Sequence, residues 1–86
     1  MKSYTITVTD AATQIAPASN TRTKLTIRNT GSKTLSLGGD ATVTPSNGFQ
    51  FLPAEEKPMD NEEDILYGIA SPGESSTVDV MEEFNH

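Results

Sequence analysis

Few residues of this chain could carry out nucleophilic or metal chemistry. Its one histidine is His86, the last residue of the sequence, and it contains no cysteine. A histidine at a chain end has no scaffold to orient it as a general base or as a ligand. Without a cysteine or a usable histidine, neither a Ser-His or Cys-His nucleophile pair nor a zinc site can be assembled. We therefore predict no catalytic residue, no cofactor-binding residue and no metal ligand, and a protein that is not an enzyme.

Carboxylates are the remaining reactive groups, and six of them fall within ten positions. They are Glu55, Glu56, Asp60, Glu62, Glu63 and Asp64. Clustered oxygen ligands suit Ca²⁺, but the spacing lacks the alternating ligands and central glycine of an EF-hand loop. Cleavage of a glycoside would need two carboxylates held rigidly across a cleft. We interpret the segment as a solvated acidic loop, with cation binding left open as the alternative.

The run Gly38-Gly39-Asp40 is a second candidate binding motif, because glycine-rich loops can surround a phosphate. It lacks the lysine and the following helix that such loops use, so a turn between strands is the favoured interpretation. Arg22 and Arg28 are single basic residues at polar positions. Either could anchor an interface, but we expect both to be ordinary surface residues.

The five aromatic residues could form a platform for a sugar or for single-stranded nucleic acid. They are Tyr4, Phe49, Phe51, Tyr67 and Phe84. Because aromatic side chains dominate small cores, we expect the first four to fill the core. Phe84 lies in a charged tail and is expected to be exposed, where it could anchor on a neighbouring molecule.

Length and composition narrow the class of protein. The 86 residues make one domain, and a chain of this size buries only about 60% of its unfolded surface. Small domains without disulfides or metals often gain stability by association.

Twelve acidic residues against six basic ones, a net charge of −6, argue against nucleic-acid binding. No apolar run is long enough to span a membrane, and the N-terminal MKSYTITVTD has no signal-peptide core.

The fold class follows from residue alternation and turn residues. Apolar and polar residues alternate over short stretches that are separated by Gly, Pro and Asn about every ten residues. This pattern predicts an all-β fold, a small antiparallel β-sandwich or barrel of seven to eight short strands. Residues 1–9 form an N-terminal strand or docking arm, and residues 82–86 a frayed tail.

Two hairpins are predicted to supply the facing surfaces, over Lys24 to Gly39 and over Ile65 to Met81. Shorter strands are predicted over Thr13 to Ala16, Ala41 to Thr44 and Phe49 to Leu52. Residues 54 to 64 are predicted to be loop, because they contain Pro58 and no apolar stripe. The predicted core comprises Ile27, Leu37, Tyr67, Ile69, Val78 and Val80.

The ordered run LTIRNTGSKTLSLGGDATVTPSNGFQFLP, an acidic stretch and then LYGIASPGESSTVDVMEE resembles a group of small all-β proteins of tailed bacteriophages. The resemblance extends from about Tyr4 to Val80. It implies a virion component, either on the capsid surface or in a head-fibre or tail attachment module, and no catalytic residue carries over.

The resemblance and the thin core together lead to a functional expectation. We expect a capsid decoration (cement) protein, located in the virion on the capsid surface, that binds the major capsid protein or another virion protein. It is expected to be a homo-oligomer, with a trimer favoured because a closed ring matches three-fold sites on a shell. The N-terminal segment and the loop around Pro17 are the candidate docking elements. The alternative is a module of a phage tail or fibre that binds carbohydrate or a host surface.

Overall fold

The computed structural model of the protein describes residues 2–60 and 64–84. These residues form eight β-strands and no helix. The strands are β1 (Lys2–Val8), β2 (Thr13–Ala16), β3 (Arg22–Asn29), β4 (Leu35–Gly38), β5 (Phe49–Phe51), β6 (Glu56–Asp60), β7 (Leu66–Ala70) and β8 (Ser76–Phe84). The predicted all-β fold is confirmed.

The strands are arranged in two four-stranded sheets, in the orders β1-β8-β3-β6 and β2-β7-β4-β5. All strand pairs are antiparallel. We call the first sheet A and the second sheet B. The chain changes sheet at every connection except the one between β4 and β5. This strand order, in which the first and last strands are neighbours, is that of an eight-stranded jelly roll, a form of β-sandwich.

One apolar core lies between the two sheets. Sheet A contributes Val8, Leu25, Ile27, Val78 and Val80, and sheet B contributes Ile15, Ala16, Leu35, Leu37, Phe51 and Ala70. Each of these side chains is buried. Four of the six predicted core residues, Ile27, Leu37, Val78 and Val80, are therefore confirmed.

The other two predicted core residues, Tyr67 and Ile69, are only half-buried, and this prediction is wrong. β7 instead buries Gly68 and Ala70. A Cβ added at Gly68 would lie 2.7 Å from Cδ1 of Ile15. The side chain of Ile15 thus fills the space that Gly68 leaves, so the face of β7 with Gly68 and Ala70 turns inward and Tyr67 and Ile69 turn outward.

Both predicted hairpins are wrong. β3 pairs with β6 and β8, whereas β4 pairs with β5 and β7, so the two arms of the first hairpin belong to opposite sheets. The arms of the second hairpin, β7 and β8, are likewise divided between sheet B and sheet A. Alternation identifies the apolar face of each strand but not its neighbour. Two strands with apolar faces can lie side by side in one sheet, or they can lie in two sheets that stack face to face.

A buried amide lies where the chain crosses between sheets after β3. Nδ2 of Asn29 donates hydrogen bonds to the carbonyl oxygens of Lys33, at 2.8 Å, and Phe51, at 3.0 Å. Oδ1 of Asn29 accepts hydrogen bonds from the Gly31 N–H, at 3.2 Å, and the Ser76 hydroxyl, at 2.7 Å. Asn29 is fully buried, and these four bonds connect the end of β3 to both sheets.

The acidic segment is partly strand, so the loop predicted there is wrong over Glu56–Asp60. These residues form β6 at an edge of sheet A, where Pro58 lies opposite Thr26. An edge strand tolerates proline because one side of its backbone has no neighbouring strand that needs an N–H donor.

The predicted strand over Ala41 to Thr44 is also wrong, because these residues are turn and irregular structure. Asp40 begins a side-chain turn in which its Oδ1 accepts a hydrogen bond from the Thr42 N–H at 2.9 Å. Val43 is nonetheless buried, since a Cβ added at Gly38 would lie 2.7 Å from Cβ of Val43. The absence of a side chain at Gly38 lets this loop pack onto sheet B.

The predicted frayed tail is strand as far as Phe84, because β8 continues to that residue. Glu82 is buried and Phe84 is half-buried, so the expected exposure of Phe84 is wrong. The rest of the tail, residues 85–86, lies outside the described residues.

Candidate functional site

Two acidic residues of segment 55–64, Glu55 and Glu56, are engaged locally in hydrogen bonds and ion pairs. The Glu55 carboxylate accepts hydrogen bonds from the Leu52 N–H at 2.8 Å and from Nζ of Lys57 at 3.1 Å. These two donors, the backbone N–H first, hold the pKa of Glu55 below its ordinary value. Glu56 pairs with Arg28 on the outer face of sheet A. Residues 2–60 and 64–84 contain no group of three His, Cys, Asp or Glu side chains placed to hold a metal ion.

Three residues singled out from the sequence, Glu62, Glu63 and His86, lie outside the described residues.

Arg22 is buried, and the expectation that it lies on the surface is wrong. Its Nη1 lies 2.7 Å from Oε1 of Glu82, and the two side chains are 0% and 1% exposed. Nη1 also donates to the Pro17 carbonyl at 2.8 Å, and Nη2 donates to the Asp64 carbonyl at 2.9 Å. The Pro17 loop, a predicted docking element, is therefore fastened to the body of the domain.

Tyr4 lies beside this buried ion pair. Its hydroxyl donates a hydrogen bond to the Ile15 carbonyl at 3.3 Å. Burial raises the pKa of Tyr4 to about 12, and the negative charge of Glu82 acts in the same direction, while the positive charge of Arg22 opposes them. The group of Tyr4, Arg22 and Glu82 connects β1, β3 and β8 at one end of the sandwich.

An exposed apolar corner lies at β5 and the turn that follows it. Phe49 is 75% exposed and Leu52 is 50% exposed, which makes them the two most exposed large apolar side chains among the described residues. Nζ of Lys57 lies 5.3 Å from the ring centroid of Phe49 and 5.9 Å from that of Phe51. We call Phe49 and Lys57 the Phe49 corner.

The expectation that Phe49 fills the core is wrong, although the neighbouring Phe51 is fully buried. Phe49 is the first residue of β5, and its partner in register is Leu37, near the end of β4. At that rim the facing strand is β6, an edge strand of sheet A, and no apolar layer covers the ring.

A cleft of about 410 Å³ opens beside the Phe49 corner. Its walls come from both sheets and include Leu37, Phe49, Met59, Ile65 and Leu66, with Lys57 and Asp64 as the charged groups. An apolar cleft with a few charged groups is the usual form of a site that takes an apolar side chain or small ligand.

A second, more polar groove of about 440 Å³ lies on the outer face of sheet A. Asp79, Arg28 and Glu56 form a row across three strands, with Nε of Arg28 3.2 Å from Oε1 of Glu56. Thr5 on β1 continues the row and donates from its hydroxyl to Oδ1 of Asp79 at 2.8 Å. Within this row Arg28 pairs with Glu56, and Asp79 is hydrogen-bonded by Thr5.

Comparison of the chain with protein-family models, with curated proteins and with solved structures finds no match. Within residues 2–60 and 64–84 there is no helix of the length and apolarity needed to cross a membrane.

Sequence reasoning missed the buried Arg22–Glu82 pair and the Phe49 corner. The pair joins residues 60 positions apart, so no local pattern reveals it. For Phe49 the sequence did contain a signal. Gly48 and Pro53 bound the stretch on either side, so the strand between them is short, and the facing sheet does not cover both of its ends.

Proposed function

We propose that this protein is a structural component of a bacteriophage virion, a decoration (cement) protein that attaches to the outer surface of the head shell. The observation that carries the proposal is the Phe49 corner with its adjoining cleft. A small domain that keeps 75% of a phenylalanine in water has a surface suited to contact with another macromolecule.

Two further observations support a place in a virion. The first is our interpretation that the sequence pattern of the chain resembles small all-β proteins of tailed phages over most of its length. Its eight-stranded jelly-roll order is also an architecture that viral capsid domains use. The resemblance concerns the sequence pattern, and the jelly-roll order is an analogy at the level of the fold.

The proposed mechanism is stabilisation of the shell by binding. The partner is the major capsid protein or another virion protein, and Phe49 inserts into an apolar depression on its surface. A protein that binds the assembled shell and not its dissociated subunits shifts the equilibrium toward the shell. The net charge of −6 favours a partner surface that carries positive charge around that depression.

Sedimentation with purified undecorated shells tests this function. We expect the protein to pellet with the shells and to raise the temperature at which they open. Phe49→Ser should weaken binding about thirtyfold, because a buried aromatic anchor typically contributes about 2 kcal/mol or more.

Met81→Ser is the matched control, because Met81 is 41% exposed on the outer face of sheet A, away from the Phe49 corner. It should bind shells as the wild-type protein does. Absence of pelleting, or equal binding by Phe49→Ser, would contradict the proposal.

A second candidate function is supported by the polar groove on sheet A, whose Thr5, Arg28, Glu56 and Asp79 side chains offer hydrogen bonds at its surface. This candidate is recognition of carbohydrate or of a host surface by a tail or fibre module. Glycan-array binding that is lost in Arg28→Met but kept in Phe49→Ser would favour it over attachment to the shell.

A further inference from the structure

Three of the four sheet edges carry features that hinder pairing with another chain. β6 contains Pro58 between the charged residues Glu56 and Asp60. The register of β2 shifts between Gln14 and Ala16, and β5 has only three residues. Proline, charge, bulges and short length are the usual protections of an exposed edge.

The fourth edge, β1, lacks these protections. Its seven residues run in unbroken register with β8, from Lys2 opposite Glu82 to Val8 opposite Ser76. It contains no proline, and its one charged residue is Lys2. Within the described chain, β1 pairs with β8 alone, and no turn or loop backbone is hydrogen-bonded to it. A long and regular edge of this kind is able to accept a further strand.

The two faces of β1 also make it complementary to itself. Tyr4 and Ile6 point toward the core and are half-buried, whereas Ser3, Thr5 and Thr7 point outward and are exposed. In an antiparallel pair centred on Thr5, Tyr4 of each copy lies opposite Ile6 of the other, and Ser3 lies opposite Thr7. Apolar residues thus meet apolar residues and hydroxyls meet hydroxyls, both of which are favourable cross-strand pairs.

We propose that two copies of this chain form a two-fold dimer by antiparallel pairing of their β1 strands. The two copies of sheet A then join into one continuous eight-stranded sheet, and the exposed parts of Tyr4 and Ile6 are covered. The interface repeats the same surface on both copies, so it closes at two subunits. Pairing through β1 therefore gives a dimer and not the trimer expected from the sequence. This dimer does not depend on binding to a shell.

Sedimentation equilibrium on the purified protein measures the mass directly, and the dimer predicts twice the chain mass of 9.2 kDa. Thr5→Lys places two ammonium groups opposite each other at the centre of the dimer, so dimerisation should weaken about fivefold. Each new ammonium group faces Asp79 within its own subunit, so the monomer should still fold, which circular dichroism will show.

Disulfide trapping tests the register, because the chain has no cysteine of its own. Under mild oxidation Thr5→Cys should give a covalent dimer. Thr7→Cys, on the same strand and face, should not, since its two thiols would lie about 13 Å apart along the paired strands.

Three outcomes would overturn the proposal: a monomer at concentrations of about 1 mM, a trimer, or a dimer in which Thr7→Cys cross-links as readily as Thr5→Cys. A dimer that weakens in Thr5→Lys and is trapped only through Thr5→Cys would support it.

Discussion

Removing the arginine of the buried Arg22–Glu82 pair should be far more costly than removing an arginine from the surface. Arg22→Met leaves the Glu82 carboxylate in a site where its residue is 1% exposed, and Oε2 of Glu82 has no hydrogen-bond partner among the described residues. Loss of one partner from a buried pair typically costs about 3–5 kcal/mol, because the remaining charge is buried without compensation.

This cost is large compared with the stability of the domain. At about 0.05–0.15 kcal/mol per residue, 86 residues correspond to a free energy of unfolding of about 4–13 kcal/mol. Arg28→Met is the matched control, since Arg28 pairs with Glu56 but the two side chains are 57% and 47% exposed. Surface pairs contribute about 0–1 kcal/mol, so this change should have little effect.

Urea unfolding followed by circular dichroism measures both variants. With a slope of about 1 kcal/mol per molar urea, the midpoint of Arg22→Met should fall by about 3 M or more. Adding Glu82→Gln to Arg22→Met removes the stranded charge and should recover part of the loss. The reasoning is refuted if Arg22→Met and Arg28→Met lower the midpoint equally, or if the double variant is less stable than Arg22→Met.

Two further predictions concern backbone conformation and alkaline pH. Ala54 and Gly73 each follow a proline in similar turns and have φ of 66° and 79°. Because glycine adopts positive φ without strain, Ala54→Gly should raise the free energy of unfolding by about 0.5–1 kcal/mol and Gly73→Ala should lower it by about 1 kcal/mol, as measured by urea unfolding. Effects of the same sign in both variants would count against the strain argument. Because the pKa of Tyr4 rises from 10.0 to about 12 on folding, its contribution to stability is complete below pH 10 and is lost as the pH rises toward 12. Tyr4→Phe should flatten the fall in thermal midpoint over that range and Tyr67→Phe should not, whereas identical profiles for both variants would argue against the role of Tyr4.

Alternation was sufficient to predict an all-β chain and four of its core residues, because a half-buried strand has one periodicity whatever its neighbours are. It was not sufficient to predict strand neighbours. The sequence on either side of residues 30–34 is compatible with a hairpin and also with a crossing to the opposite sheet. The structure has the crossing, with hydrogen bonds from Asn29 to Lys33 and Phe51. The bond to Phe51 joins residues 22 positions apart, so no local pattern reveals it.

The candidate site was less predictable than the fold. Its features arise where strands end, and β5 places Phe49 at a rim while burying Phe51 two residues later. The side chain of Arg22 looks like a surface charge until β8 brings Glu82 beside it. The orientation of β7 likewise depended on Ile15 filling the space at Gly68.

The most direct measurement of the central claim, that this jelly roll is a shell-attached virion protein, is the protein composition of purified virions by quantitative mass spectrometry. We expect its peptides in a fixed ratio to the major capsid protein. We expect them to be lost from virions when the gene for this protein carries Phe49→Ser. Virions that contain none of its peptides would contradict the account.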